Sequence, residues 1–301
     1  MSFLALGCSP SSDSLQITES QKDNILTTFY PTTYFAESIS NGLVPVECPV
    51  PENEDPIYWQ PSRDSILKYQ QAGLIILNGA NFEKWVNSVN LPLSRVIESV
   101  NLSSDELIYY EGVAEHRHGP EGAHTHEGID GHTWLDPMHA KTAANNILDS
   151  MCVRWPKYRD EFIANHKKLI LGLDELHVRF NAIEMPPVFA SHPAYNYLAR
   201  RYGWNIRNLD LVPDEALSED QIKMIGSYQK EKPMRLLLWE SLPLSENIEK
   251  LEKGLGIRSV VFSPCEMISE DKTEEESDYL SLMHENIDVL VRAIAGHETE
   301  Q

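Results

Sequence analysis

Apolar residues fall into two alternating patterns along this chain. Short continuous runs alternate with stretches in which apolar positions recur every third or fourth residue. Ile25–Phe29 is a short run and predicts a strand. Pro31–Ser40 has the second pattern and predicts a helix stopped by Asn41-Gly42. Leu43–Glu47 predicts a second strand, Ser62 can cap a helix running to Ala72, and Leu74–Leu77 predicts a third strand. Asn81 can cap the next helix, which carries Trp85. Val188–Ala190, Asn205–Leu209, Met234–Trp239 and Ser259–Phe262 repeat the strand pattern. Ala194–Tyr202, Ser218–Lys230 and Leu244–Leu255 (ended by Gly256) are the helices between them, and a last helix runs from about Ser277 to Ala295. This is the βαβ rhythm of parallel sheets covered by helices.

Between the halves, Phe162, His166, Leu169, Leu173, Leu176, Phe180 and Ile183 recur at steps of three and four. That spacing marks one buried face of a long helix, which Met185-Pro186-Pro187 ends. The expected fold is α/β: two lobes, each a mostly parallel sheet with flanking helices, joined by one long backbone helix. The expected divisions are a signal remnant and tether at 1–24, a first lobe at 25–140 containing a His-rich loop at 115–132, linking helices at 141–185, and a second lobe at 186–301. In open α/β sheets ligand loops lie at the carboxyl ends of strands, so functional residues are sought there.

Composition narrows the function. The chain has 301 residues and a net charge of -21. Phosphate binding needs clustered Lys and Arg, so the acid excess argues against nucleic acid. It suits a handler of cations, because a negative field raises their local concentration, although on charge alone simple solubility is the better account. No apolar run reaches the roughly 20 residues of a membrane span. No G-x-S-x-G, Walker loop or His-Glu-x-x-His occurs, which removes the ready hydrolase and nucleotide readings.

Five histidines, His116, His118, His124, His126 and His132, crowd one segment, interspersed with Glu, Asp and Gly. Neutral imidazole suits zinc, copper, nickel and iron, and the glycines leave the loop free to take several geometries. The expected role of His116, His118, His124 and His126 is auxiliary metal contact, weak and multi-site. Gly131-His132-Thr133-Trp134-Leu135-Asp136-Pro137 follows, a shelf that holds one imidazole, with Asp136 placed to cap the next helix. His166, His177 and His284 are expected to be structural.

These motifs resemble those of the zinc- and manganese-type solute-binding lipoproteins of bacterial ABC importers. The segment around His132 is similar to that family's metal motif. Leu77-Asn78-Gly79-Ala80-Asn81-Phe82-Glu83-Lys84-Trp85 is similar to its strand–Asn-Gly–Glu–Trp segment, and Ser191-His192-Pro193-Ala194-Tyr195-Asn196-Tyr197 to the second-lobe motif that supplies another imidazole. Tyr279–Met283 with Asn286 is similar to its last helix. The resemblance covers Ile25 to Ala295, and the His-rich loop resembles the zinc-type branch. It implies a monomeric carrier outside the cytoplasm, periplasmic or at the cell surface. Such a carrier delivers a metal ion to a membrane permease and is not an enzyme. Ala5-Leu6-Gly7-Cys8 resembles the end of a lipoprotein signal, so Cys8 is the candidate lipidation site.

Two positions depart from the family pattern. Ile57 in Asp55-Pro56-Ile57-Tyr58-Trp59 stands where a first-lobe ligand His is usual. Ser263 stands at the expected position of a second-lobe Asp. The ligands carried over are His132 and His192. Glu240, after a second-lobe strand, is the expected third, with water or a loop histidine completing the shell. Glu54, Asp55 and Cys265 are the other candidates. Zinc is the expected metal, with Mn2+, copper and nickel open. The pairing of Cys48, Cys152 and Cys265 is open as well. The alternative is a divergent family member that binds a protein or organic ligand without a tight cleft metal site. A metalloenzyme with an open coordination position is a third reading.

Overall fold

The computed structural model describes residues 23–51, 54–110, 114–117, 123–126, 128–266 and 278–298. The chain runs β1 (Ile25–Thr27), α1 (Tyr30–Ser40), β2 (Val46–Glu47), α2 (Arg63–Gln71), β3 (Leu74–Gly79) and β4 (Val96–Val100). A hairpin follows, β5 (Ala114–Arg117) and β6 (Ala123–His126), then α3 (Pro137–Arg154) and α4 (Arg159–Asn181). The remainder is β7 (Val188–Ala190), α5 (Asn196–Tyr202), β8 (Ile206–Asn208), α6 (Glu219–Glu231), β9 (Leu236–Trp239), α7 (Ser245–Leu255), β10 (Arg258–Val261) and α8 (Tyr279–Glu298).

The two main sheets are wholly parallel, in the orders β2-β1-β3-β4 and β10-β9-β7-β8. Strands buried on both faces need continuous apolar runs, and Leu74–Gly79 and Leu236–Trp239 are buried along their whole length. In each sheet the order reverses beside the first strand of the lobe. Crevices therefore open at the carboxyl ends of β1 and β3, and of β7 and β9, which is where such sheets bind ligands.

Helix α4 is the spine. Phe162, His166, Leu169, Leu173, Leu176 and Phe180 are its buried residues. It packs against α1, α3 and α8. The helix ends at Asn181, earlier than Met185-Pro186-Pro187 implies, and Ile183 packs against the core from the turn beyond it. One apolar cluster runs through both lobes, from Ile25, Phe35 and Ile76 through Leu173 and Phe180 to Val188, Leu238 and Met283. Smaller clusters back the outer faces, around Tyr69 and Trp85 in the first lobe and Ile225 and Trp239 in the second. Among the described residues no helix is long and apolar enough to cross a membrane.

Several local expectations change. Asn81 does not cap a helix. It sits at positive φ (56°), and Trp85 lies in a 3-10 turn, Lys84–Ser88, preceded by Glu83. The hydrophobic pattern did not single out Val96–Val100, where Glu98 interrupts the run, yet it pairs with β3 as an edge strand. The His-rich segment is not wholly without structure, because its backbone forms a hairpin that pairs Ala114 with His126 and His116 with His124. Alternation of small, polar and β-branched residues over these short stretches is compatible with a strand, and composition alone hid it. Cys8 and His118 lie outside the described residues.

Candidate metal centre

His132 sits on the first-lobe shelf, 1% exposed, at the head of the 3-10 turn Thr133–Leu135. Asn78, at the end of β3, holds that shelf. Its Nδ2 donates to the Gly131 carbonyl (2.9 Å) and its Oδ1 accepts from Thr133 Oγ1 (3.1 Å). Glu83 fixes Asn78 in turn, accepting its backbone N–H at 2.6 Å and the Thr28 hydroxyl at 2.6 Å. Burial pushes the Glu83 carboxyl up, and these hydrogen bonds oppose the shift. Gly131 is required by space, because a Cβ there would lie 2.9 Å from the Phe82 ring.

The fully buried Asp130 carboxylate orients the imidazole. Its Oδ1 stands 2.7 Å from His132 Nδ1 and accepts the His132 backbone N–H at 2.9 Å and the Tyr110 hydroxyl at 3.1 Å. This leaves His132 Nε2 facing the cleft. That atom is buried and has no hydrogen-bond partner. Glu266 Oε1 is 3.2 Å away, close enough for an ion pair but misaligned for a hydrogen bond. Burial presses the His132 pKa down. The Asp130 carboxylate, and then Glu266, outweigh it and carry the imidazole up to about 10.

The second lobe brings three groups to the same cleft. His192 lies two residues beyond the end of β7, and Glu240 one residue beyond β9. Because Ala190 is in register with Leu238, the two side chains emerge together, with His192 Nδ1 3.5 Å from Glu240 Oε2. The rings of His132 and His192 are 5.3 Å apart at 80°. Glu266 arrives from the loop after β10, turned inward through Cys265 at φ 58°.

The other candidates lie differently. Ile57 packs against the apolar core, and its N–H is taken by Asp55 Oδ1 at 2.8 Å, so Asp55 shapes the turn. Ser263 is a turn former. Its Oγ accepts the Cys265 N–H, while Asn286 of α8 bonds both its N–H and its carbonyl. Burial raises the Cys265 thiol to about 12, and its Sγ faces the Ser263 carbonyl and Asn286. Cys48, Cys152 and Cys265 are all free. His166 is buried on the spine, His177 meets the Tyr202 hydroxyl, and His284 meets Arg179, as structural histidines do. The sequence pattern did not single out Glu266. It lies five residues beyond the end of β10, too far for the rule that nominated Glu240, an acid directly past a strand's carboxyl end. Among the described residues no three His, Cys, Asp or Glu side chains converge closely enough to hold a metal ion as they stand. They form two pairs, His132–Glu266 and His192–Glu240.

Two α/β lobes on one helical spine, with imidazoles at the carboxyl edges of both sheets, define the architecture of a metal-type periplasmic binding protein. The family model for the periplasmic zinc-uptake complex component A, ZnuA, matches residues 25–293, and the chain belongs to that family. It is similar to the zinc-binding protein AdcA of Streptococcus pyogenes, 26% identical over 94% of this chain and 58% of that protein. It is also similar to the high-affinity zinc uptake system protein ZnuA of Bacillus subtilis, 25% identical over 89% of this chain and 86% of the relative. The chain thus spans 58% of the length of the streptococcal relative. Among solved structures, the metal-dependent lipoprotein YcdH of Bacillus subtilis shares the fold (TM-score 0.77, 24% identity, 89% of this chain and 97% of that chain). Zn(II)-bound AdcA of Streptococcus pneumoniae superposes with a TM-score of 0.76 at 25% identity, over 89% of this chain and 57% of that chain.

Proposed function

We propose that this protein captures a zinc ion outside the cytoplasm, periplasmic or at the cell surface, and hands it to the membrane permease of an ABC importer. On this reading it acts as a monomer and is not an enzyme. The observation that carries the reading is the His132 ring. One nitrogen is bonded to a buried carboxylate, and the other is orphaned in a cleft shared with Glu266 and His192. A ligating histidine is held in just this way. The donor set, imidazole nitrogen with carboxylate oxygen, suits zinc better than manganese, which favours more oxygen.

His132, His192 and Glu266 are the proposed protein ligands, with water or a histidine of the 115–132 segment completing four-coordination. Glu240, first expected as a ligand, stands on the Nδ1 side of His192 and has the position of an orienting carboxylate. Loading displaces the Nε2 proton of the His132 ring with the cation and draws the two pairs together. The names of the relatives, a zinc-binding protein and a zinc uptake component, support zinc as cargo. Cys8 remains the proposed lipid anchor, on sequence alone.

Zinc titration calorimetry on the full chain, beside the double variant His132→Ala with His192→Ala, tests the reading. One tight site lost in the double variant is the expected result. Weak, multiple binding that survives it would favour the second reading, a family member without a tight cleft site, to which Ile57 points.

A further inference from the structure

We infer that Asn196 is a positioning residue that couples the two metal imidazoles across the cleft. The inference rests on the reading of His132 and His192 as zinc ligands. Asn196 opens α5, four residues after His192. Its Nδ2 donates to Asp130 Oδ2 (2.9 Å) and to the Pro193 carbonyl (2.9 Å). Both partners are acceptors, which fixes which end of the amide is which, and Asn208 Nδ2 donates to Asn196 Oδ1 at 3.2 Å. One amide thus touches both ligand-bearing segments. Pro193 directly follows His192, and Asp130 is the carboxylate on His132 Nδ1.

The geometry around Asp130 explains why this matters. Its Oδ1 is engaged by His132 and Tyr110, so the rotation of the carboxylate about its own axis is set by what holds Oδ2, and Asn196 holds it. The Tyr197 hydroxyl fixes the backbone of the same residue, donating to the Asp130 carbonyl at 2.9 Å. Tyr197 positions the loop, whereas Asn196 positions the carboxylate and through it the direction of His132 Nε2. A shift of the second lobe that carries Asn196 therefore turns the first-lobe imidazole. Outer partners of this kind typically alter metal affinity about 10–100-fold.

The test is a double-mutant cycle read by zinc affinity and zinc dissociation rate, with metal-free melting measured on every variant. Asn196→Ala is expected to weaken zinc binding about 10-fold and to speed release, with little change in metal-free melting. In an Asp130→Asn background the same substitution should have almost no further effect, since residues acting through one partner are not additive. The visible absorption of the Co2+-loaded protein should shift in Asn196→Ala, because the ligand field changes when His132 turns. Wild-type affinity in Asn196→Ala would overturn the inference, as would an equal loss in both backgrounds. If the wild type shows no zinc site that His132→Ala removes, the functional reading itself has failed and the inference falls with it. If such a site is present and only the cycle is additive, the inference alone fails.

Discussion

His192 and Glu240 leave adjacent parallel strands in register, and their side chains meet at 3.5 Å where the second sheet reverses its strand order. The pair is a consequence of topology, because neighbouring strands run about 4.8 Å apart and residues at equal height must face one another. Glu240→Gln keeps the shape and removes the charge that faces His192 Nδ1. Zinc affinity should fall about 10-fold, within the range of outer-partner changes. A loss as large as that of His192→Ala, measured by competition with a chelator, would make Glu240 a ligand instead.

Glu266→Ala should cost more than the about 10–100-fold that outer partners are worth, because it removes a proposed ligand. It should also alter the metal-free protein, where Glu266 faces the His132 ring. The variant should be compared with Glu240→Gln in the same titration. Equal affinities would remove Glu266 from the ligand set.

The metal-free protein should lose stability as pH rises. The His132 imidazole is raised from an ordinary value of 6.5 to about 10. A raised pKa means the folded state holds the proton more tightly than the unfolded chain does. Its stabilising contribution is complete below about 6.5 and vanishes as pH passes through about 10. Melting temperature of the metal-free protein should therefore decline across that window, and Asp130→Asn should flatten the decline. Zinc loading at neutral pH should release about one proton, seen as a dependence of binding heat on the ionisation enthalpy of the buffer.

Gly131→Ala places a methyl group 2.9 Å from the Phe82 ring, directly before His132. The shelf must move, so zinc affinity should drop together with stability. Leu173→Ala, in the spine and fully buried, should cost about 2–5 kcal/mol with affinity per folded molecule unchanged. Urea melts and calorimetry on both variants separate the two effects.

Much of the fold was legible because its signals are local. The spine shows its buried residues at helical spacing, and strands such as Val188–Ala190 and Leu236–Trp239 are apolar runs between turn residues. The edge strand Val96–Val100 was not legible, since Glu98 breaks the run and only pairing with β3 orders it. At the site, His132 and His192 were readable from the residues flanking them. Glu266 was not, because what brings it to His132 is the left-handed turn at Cys265 and the grip of Asn286 on Ser263, both properties of the folded chain. Asp130 passed as one acid among several in a His-rich stretch, and its role exists only once Tyr110, Asn196 and Tyr197 surround it.

The largest apolar cluster runs unbroken through both lobes, so the main interior of each lobe is shared with the other. The molecule is therefore expected to melt in one calorimetric step. Any ion held in the cleft shifts that single equilibrium toward the native state by an amount that grows with the logarithm of its concentration over its dissociation constant. Loading then governs survival as well as delivery. A molecule that has surrendered its cargo opens as a whole more often, and exposes the spine and both sheets to proteases at once.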